Sequence, residues 1–223
     1  MRSLVQSGVL KSASAAALIT SLVCFPRLAL WSDRSYPLWF LSFTLAWASF
    51  ILWNFVFGWR PKNASLPILA VSALPVSLWS TATFAGITGA LVLWLFIDSV
   101  LQPLVPGDFP DTYELWIAMT LFTLAFDQLF LCFAPFAFFL RLVKNQRVAG
   151  GLTVVFGVAL LCSRIKLLAP QVSPFFIAEL IVWRAAAGFL TLYFYVRGGA
   201  LLAWWWVLLM QFRHVITLVV PGS

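Results

Sequence analysis

The chain has 223 residues, 63% of them hydrophobic and only 9% charged, with 22 Phe, 12 Trp and a formal net charge of +7. A soluble fold cannot hide that much apolar surface, and long apolar runs recur along the whole length, so the composition excludes a soluble domain and reads as a multi-pass membrane protein. The runs are continuous and do not alternate, which argues against a porin-like barrel. The basic excess matches an anionic leaflet and requires no nucleic acid. The expected fold class is therefore all-α, a polytopic transmembrane helix bundle with the lipid bilayer as its first partner.

Charge-poor windows of about 20 residues predict seven spans: 12 to 31, 37 to 59, 79 to 101, 114 to 140, 148 to 163, 174 to 196 and 200 to 220. Breakers and charges separate them, at Ser32 to Ser35, Arg60 to Asn63, Gln102 to Asp111, Arg141 to Arg147, Arg164 to Ser173, and Arg197-Gly198-Gly199. Segment 66 to 78 is apolar but short and carries Pro67 and Pro75, so it reads as an interfacial or re-entrant piece. The first 25 residues, basic and free of acids, have features of a targeting sequence. The apolar run continues to Trp31, past the length of a usual signal core, which favours a retained first span. Residues 1–113 are expected to form an N-terminal set of helices and residues 114–223 a four-helix core.

Basic residues set the orientation. With the N-terminus inside, Arg2, Lys11, Arg60, Lys62, Arg141, Lys144, Arg147 and Arg197 fall on the inner side, against Arg27, Arg34, Arg164 and Lys166 outside. A crossing by segment 66 to 78 would erase that asymmetry. The sequon Asn63-Ala64-Ser65 then lies inside, where glycosylation does not reach it. No internal repeat or low-complexity segment is evident.

Cys24, Cys132 and Cys162 have no Cys-x-x-Cys spacing and no neighbouring His, and the single His cannot build a zinc motif, so no metal or cofactor is expected. Serine-nucleophile motifs and phosphate-binding glycine loops are also absent from the sequence. Chemistry is left to a few polar groups inside apolar segments. Asp127 and Gln128 sit in the middle of Glu114–Leu140, where an ionised carboxylate costs a few kcal/mol or more, which makes them a candidate site. Arg184, Arg213 and His214 are also intramembrane, and Glu179 lies near the start of the sixth span. Arg184 cannot shed its charge. Glu179 precedes it by five residues, about 140° around a helix, so Asp127 is the better-placed acid to neutralise it. Three readings stay open for Asp127 and Gln128: an interhelix hydrogen-bond pair, a ligand or partner site, or catalysis by Asp127 with His214. The Trp204-Trp205-Trp206 run covers most of a helix circumference, so part of it must face lipid and part protein or a flat ligand.

The order of these elements resembles a known family. Asp127-Gln128 through Cys132 on one helix, Phe156 through Leu160 on the next, the Tyr195-Val196-Arg197-Gly198-Gly199 stretch, and His214 on the last resemble the CAAX protease and bacteriocin-processing intramembrane endopeptidases over about residues 115 to 220. The resemblance implies a place in a bacterial plasma membrane and a peptidase site. There, Glu-Glu-x-x-x-Arg becomes Asp127, Gln128 and Cys132, the second-motif His becomes Leu160, and the final polar position becomes Leu218. It therefore implies a relative that has lost most of its catalytic set and acts on a lipidated peptide or another membrane protein as a binding or assembly partner. In that reading Asp127, Gln128, Arg184, Arg213 and His214 would converge on one pocket. A second enzyme class, the small seven-span terpene cyclases, is faintly matched by Trp53-Asn54-Phe55, with Asn54 in place of the acid.

Overall fold

A computed structural model describes residues 4–32, 37–59, 75–168 and 172–219. The proposed sequon, the Arg60-Lys62 turn and most of segment 66 to 78 lie outside them. The described residues are almost wholly helical, as the unbroken apolar runs require: in lipid each backbone N–H and C=O must find its partner within its own helix. Among the described residues, six helices are long and apolar enough to span a membrane: α1 (Ser7–Ser32), α2 (Leu38–Gly58), α3 (Val76–Leu101), α4 (Tyr113–Val143), α5 (Gln146–Leu168) and the run Pro174–Val219.

Helix ends are set by local chemistry. Asn145 Oδ1 accepts from the N–H groups of Arg147 (2.9 Å) and Val148 (3.3 Å) and so caps α5. Lys144, in the left-handed conformation at φ 55°, donates its N–H to Leu140 O and closes α4. Two residues thus turn α4 into α5. Ser173 Oγ accepts from Phe176 N ahead of Pro174, a residue suited to a first helical turn.

The last run spans 46 residues, about 69 Å as one straight helix and more than twice the ~30 Å hydrocarbon core. It is not straight. Gly199 takes φ 76°, ψ −173°, a conformation closed to other residues, and divides the run. We name the arms α6 (residues 174–198) and α7 (residues 200–219). Trp206 Nε1 donates to Thr191 Oγ1 at 3.1 Å, and its ring lies 5.8 Å from that of Phe194. Fifteen residues of straight helix would hold positions 191 and 206 about 22 Å apart. The chain therefore folds back at Gly199 into an antiparallel helical hairpin.

The helices gather into two compact units, one of residues 1–64 and 117–152, the other of residues 65–116 and 153–223. In the first, α1 and α2 run antiparallel, tied by Trp53 Nε1 donating to Thr20 Oγ1 (2.9 Å) and by a cluster of Cys24, Leu28 and Leu45. Phe122, Ala125 and Phe126 of α4 close that cluster. Phe138 lies against Phe55 and Trp59, so α4 runs parallel to α2.

In the second unit, the small residues Ala82, Gly86, Gly89 and Ala90 form the buried face of α3. A Cβ on Gly86 would stand 2.7 Å from Leu209 Cβ, and one on Gly89 would stand 3.1 Å from the Trp206 ring. This is the small-residue packing by which membrane helices approach closely. Trp205 Nε1 donates to Thr83 Oγ1 (2.9 Å), so contacts advance together along both helices and α3 is parallel to α7. Val154 meets Gly188 and Arg184 meets Gly157, which makes α5 and α6 antiparallel.

Candidate functional site

A buried polar arrangement lies where α3 meets α7. Residues 93–98 of α3 widen into a π-turn that ends at Asp98. Asp98 accepts from Arg213 Nε at 2.8 Å, and the side chains of the two keep only 8% and 14% exposure. A charge pair this deep is held by geometry, since neither ion has water to return to. The helix break at Phe212 supplies the rest. Arg213 Nη1 donates to Met210 O (2.9 Å) and Trp116 Nε1 donates to Gln211 O (3.0 Å), so carbonyls left open at the end of the helix are satisfied. The cation also sits where the helix dipole favours it.

His214 is buried beside this pair, its ring edge-on to Phe109 at 5.5 Å. Sequence reasoning placed Arg213 and His214 in a candidate site but passed over Asp98, the acid that Arg213 pairs with. The available signal was an acid inside the apolar window 79 to 101.

Asp127 and Gln128 lie in the first unit, at the junction of two further π-turns, residues 123–127 and 129–133. Thr123 Oγ1 donates to Asp127 Oδ2 at 3.1 Å, four residues along the same helix. The second widening precedes Pro135, whose ring would clash with the carbonyl four residues back in a regular α-helix. Gln128 is 7% exposed, and its Oε1 has no hydrogen-bond partner among the described residues. Ser49 Oγ and Asn54 Oδ1 of α2 share that condition.

Arg184, in the second unit, lies against α5. A Cβ on Gly157 would stand 3.3 Å from Arg184 Nη2, so the guanidinium rests on bare backbone. Glu179 is half-buried on the same helix. The predicted site residues are thus divided, Asp127 and Gln128 in one unit, Glu179, Arg184, Arg213 and His214 in the other.

The tryptophan run turns largely inward. Trp206 is wholly buried, and Trp205 lies edge-on to Trp79 at 6.0 Å as well as bonding Thr83. Arg197 stands over the Tyr193 ring at 5.6 Å, just ahead of the Gly198-Gly199 reversal. The Tyr195 to Gly199 stretch thus ends in the reversal between α6 and α7. Among the described residues no group of three or more His, Cys, Asp or Glu side chains is placed to hold a metal. No protein-family model, no curated protein and no solved structure matches this chain.

Proposed function

We propose that this multi-pass membrane protein works as a non-catalytic binding or assembly partner for an amphiphile or another membrane protein, a degenerate relative of the intramembrane endopeptidases that residues 115 to 220 resemble. The observation that carries this reading is the use made of polar groups in the second unit. Arg213 is consumed by Asp98, and His214 is buried against Phe109. Thr83, Thr191, Trp205 and Trp206 are spent on interhelix bonds. A general base needs a free lone pair within hydrogen-bond reach of its proton, and Leu160 stands where the family would place its second histidine. Purified protein incubated with a prenylated peptide or a leader peptide is expected to leave both intact. Cleavage that disappears in Asp127→Asn would overturn the reading and make Asp127 the base.

The same reading includes seven crossings with the N-terminus inside. The eight-to-four basic asymmetry supports it. So does the parallel course of α3 and α7, because helices of one direction are separated by an odd number of intervening crossings. Counting α4, α5 and α6 between them satisfies that rule. The ion pair of Arg164 with Asp108 (2.8 Å) fits as well, since it draws the end of α5 to the loop after α3. In a cysteine-free background, Gly107→Cys and Asn145→Cys are expected to react with a membrane-impermeant maleimide from opposite sides. Labelling of both from one side would rule this arrangement out.

A further inference from the structure

We propose that Arg184 is the head-group anchor of an anionic amphiphile, a carboxylate or phosphate carried on an apolar chain. The inference deepens the binding reading above and rests on it. Arg184 lies ten residues into α6, about 15 Å along the helix from Pro174 and well inside the apolar run. A guanidinium stays charged, and a charge at that depth needs a counter-ion.

The second unit contains five acids: Asp98, Asp108, Asp111, Glu114 and Glu179. Asp98 is bound to Arg213 and Asp108 to Arg164. Asp111 is exposed in the loop between α3 and α4, and Glu114 is exposed in the first turn of α4. Glu179 is about 140° around the helix from Arg184 and makes no ion pair among the described residues. Within this unit, among the described residues, no hydrogen bond or ion pair reaches the guanidinium.

Packing holds it in place all the same. Its Nη2 and Nε lie 3.3 Å and 3.5 Å from where a Gly157 Cβ would be, and one turn further on Val154 would be 3.3 Å from a Gly188 Cβ. Two glycines facing partner side chains let α5 and α6 approach closely. The guanidinium is thereby held at the seam, and its planar fork is the group that suits two-point recognition of carboxylate or phosphate. The apolar run on either side of Arg184 offers surface for a chain.

Native mass spectrometry of the whole protein in non-ionic detergent tests this, with oleate, phosphatidylglycerol and phosphatidylcholine titrated separately. The wild type is expected to retain an anionic amphiphile about tenfold more tightly than phosphatidylcholine or than Arg184→Gln does, with Arg184→Lys between, since an ammonium lacks the fork. Retention of oleate alone identifies a carboxylate ligand, and of phosphatidylglycerol alone a phosphate lipid. Should Arg184→Gln fail to fold, Gly157→Ala keeps the charge but displaces the fork, and is expected to weaken retention a few-fold. Equal retention by wild type and variants, or no preference for an anionic head, would overturn the assignment and leave a carboxylate of the protein as the counter-ion. The peptide-cleavage assay is unaffected by either result, so the two readings fail separately.

Discussion

Arg213→Ala is expected to destabilise the protein by about 3 to 5 kcal/mol, because it strands Asp98 as a buried charge without a partner. Asp98→Ala should cost a similar amount for the converse reason, and it also leaves the cation at the Phe212 break with only Met210 O. The double change Asp98→Ala with Arg213→Ala removes both ions together and is expected to cost much less than the sum of the two single losses. Reversible unfolding in a graded detergent mixture gives all three values and hence the coupling. Single losses that simply add would show that the two side chains do not depend on one another. The wider reason for the size of the effect is the medium. In a surface ion pair such as Arg164–Asp108, both partners remain largely exposed and water takes over when one is removed, so that pair is worth about 1 kcal/mol or less.

Trp206→Ala should rank second, at about 3 kcal/mol, the lower end of the range for truncating a fully buried large aromatic, because lipid is itself apolar and part of the hydrophobic term is lost. The side chain touches three elements at once: its indole bonds Thr191 and meets Phe194 on α6, and its ring edge fills the space that Gly89 leaves on α3. A cavity there opens the hairpin and the α3 seam together. Trp206→Phe keeps most of the volume and loses the hydrogen bond, so it is expected to cost only about 0.6 kcal/mol for the bond and a little more for packing. The same unfolding titration separates the two. A Phe variant as damaged as the Ala variant would mean that the indole N–H, and not packing, holds the hinge closed.

The two substitutions differ in how far the sequence announced them. Trp206 stands in a run of three tryptophans and was certain to have at least one ring against protein, because a helix cannot turn all three to lipid. Which ring goes inward depends on where α3 and α6 lie, and periodicity along one helix carries no such information. Asp98 is the opposite case. Near the end of an apolar window an acid needs no explanation, and its partner comes 115 residues later. Nothing in local sequence links positions so far apart.

The sequence by itself determined that the chain is a set of lipid-embedded helices, since a backbone in hydrocarbon has no alternative to helix once the runs are apolar and unbroken. It determined the breaks as well: the Arg197-Gly198-Gly199 stretch reads as a turn, and Gly199 takes the positive φ that only glycine adopts at low cost. Tertiary structure alone decided which helices pair and in which direction, that Arg213 belongs to Asp98, that Arg184 lies on Gly157, and that the helix around Asp127 and Gln128 widens into π-turns. The physical reason is that hydropathy is a property of each residue in its solvent. Pairing depends on the facing surfaces of two helices, on the fit of Gly86 to Leu209 and of Gly89 to Trp206, which one-dimensional patterns of apolar residues leave open.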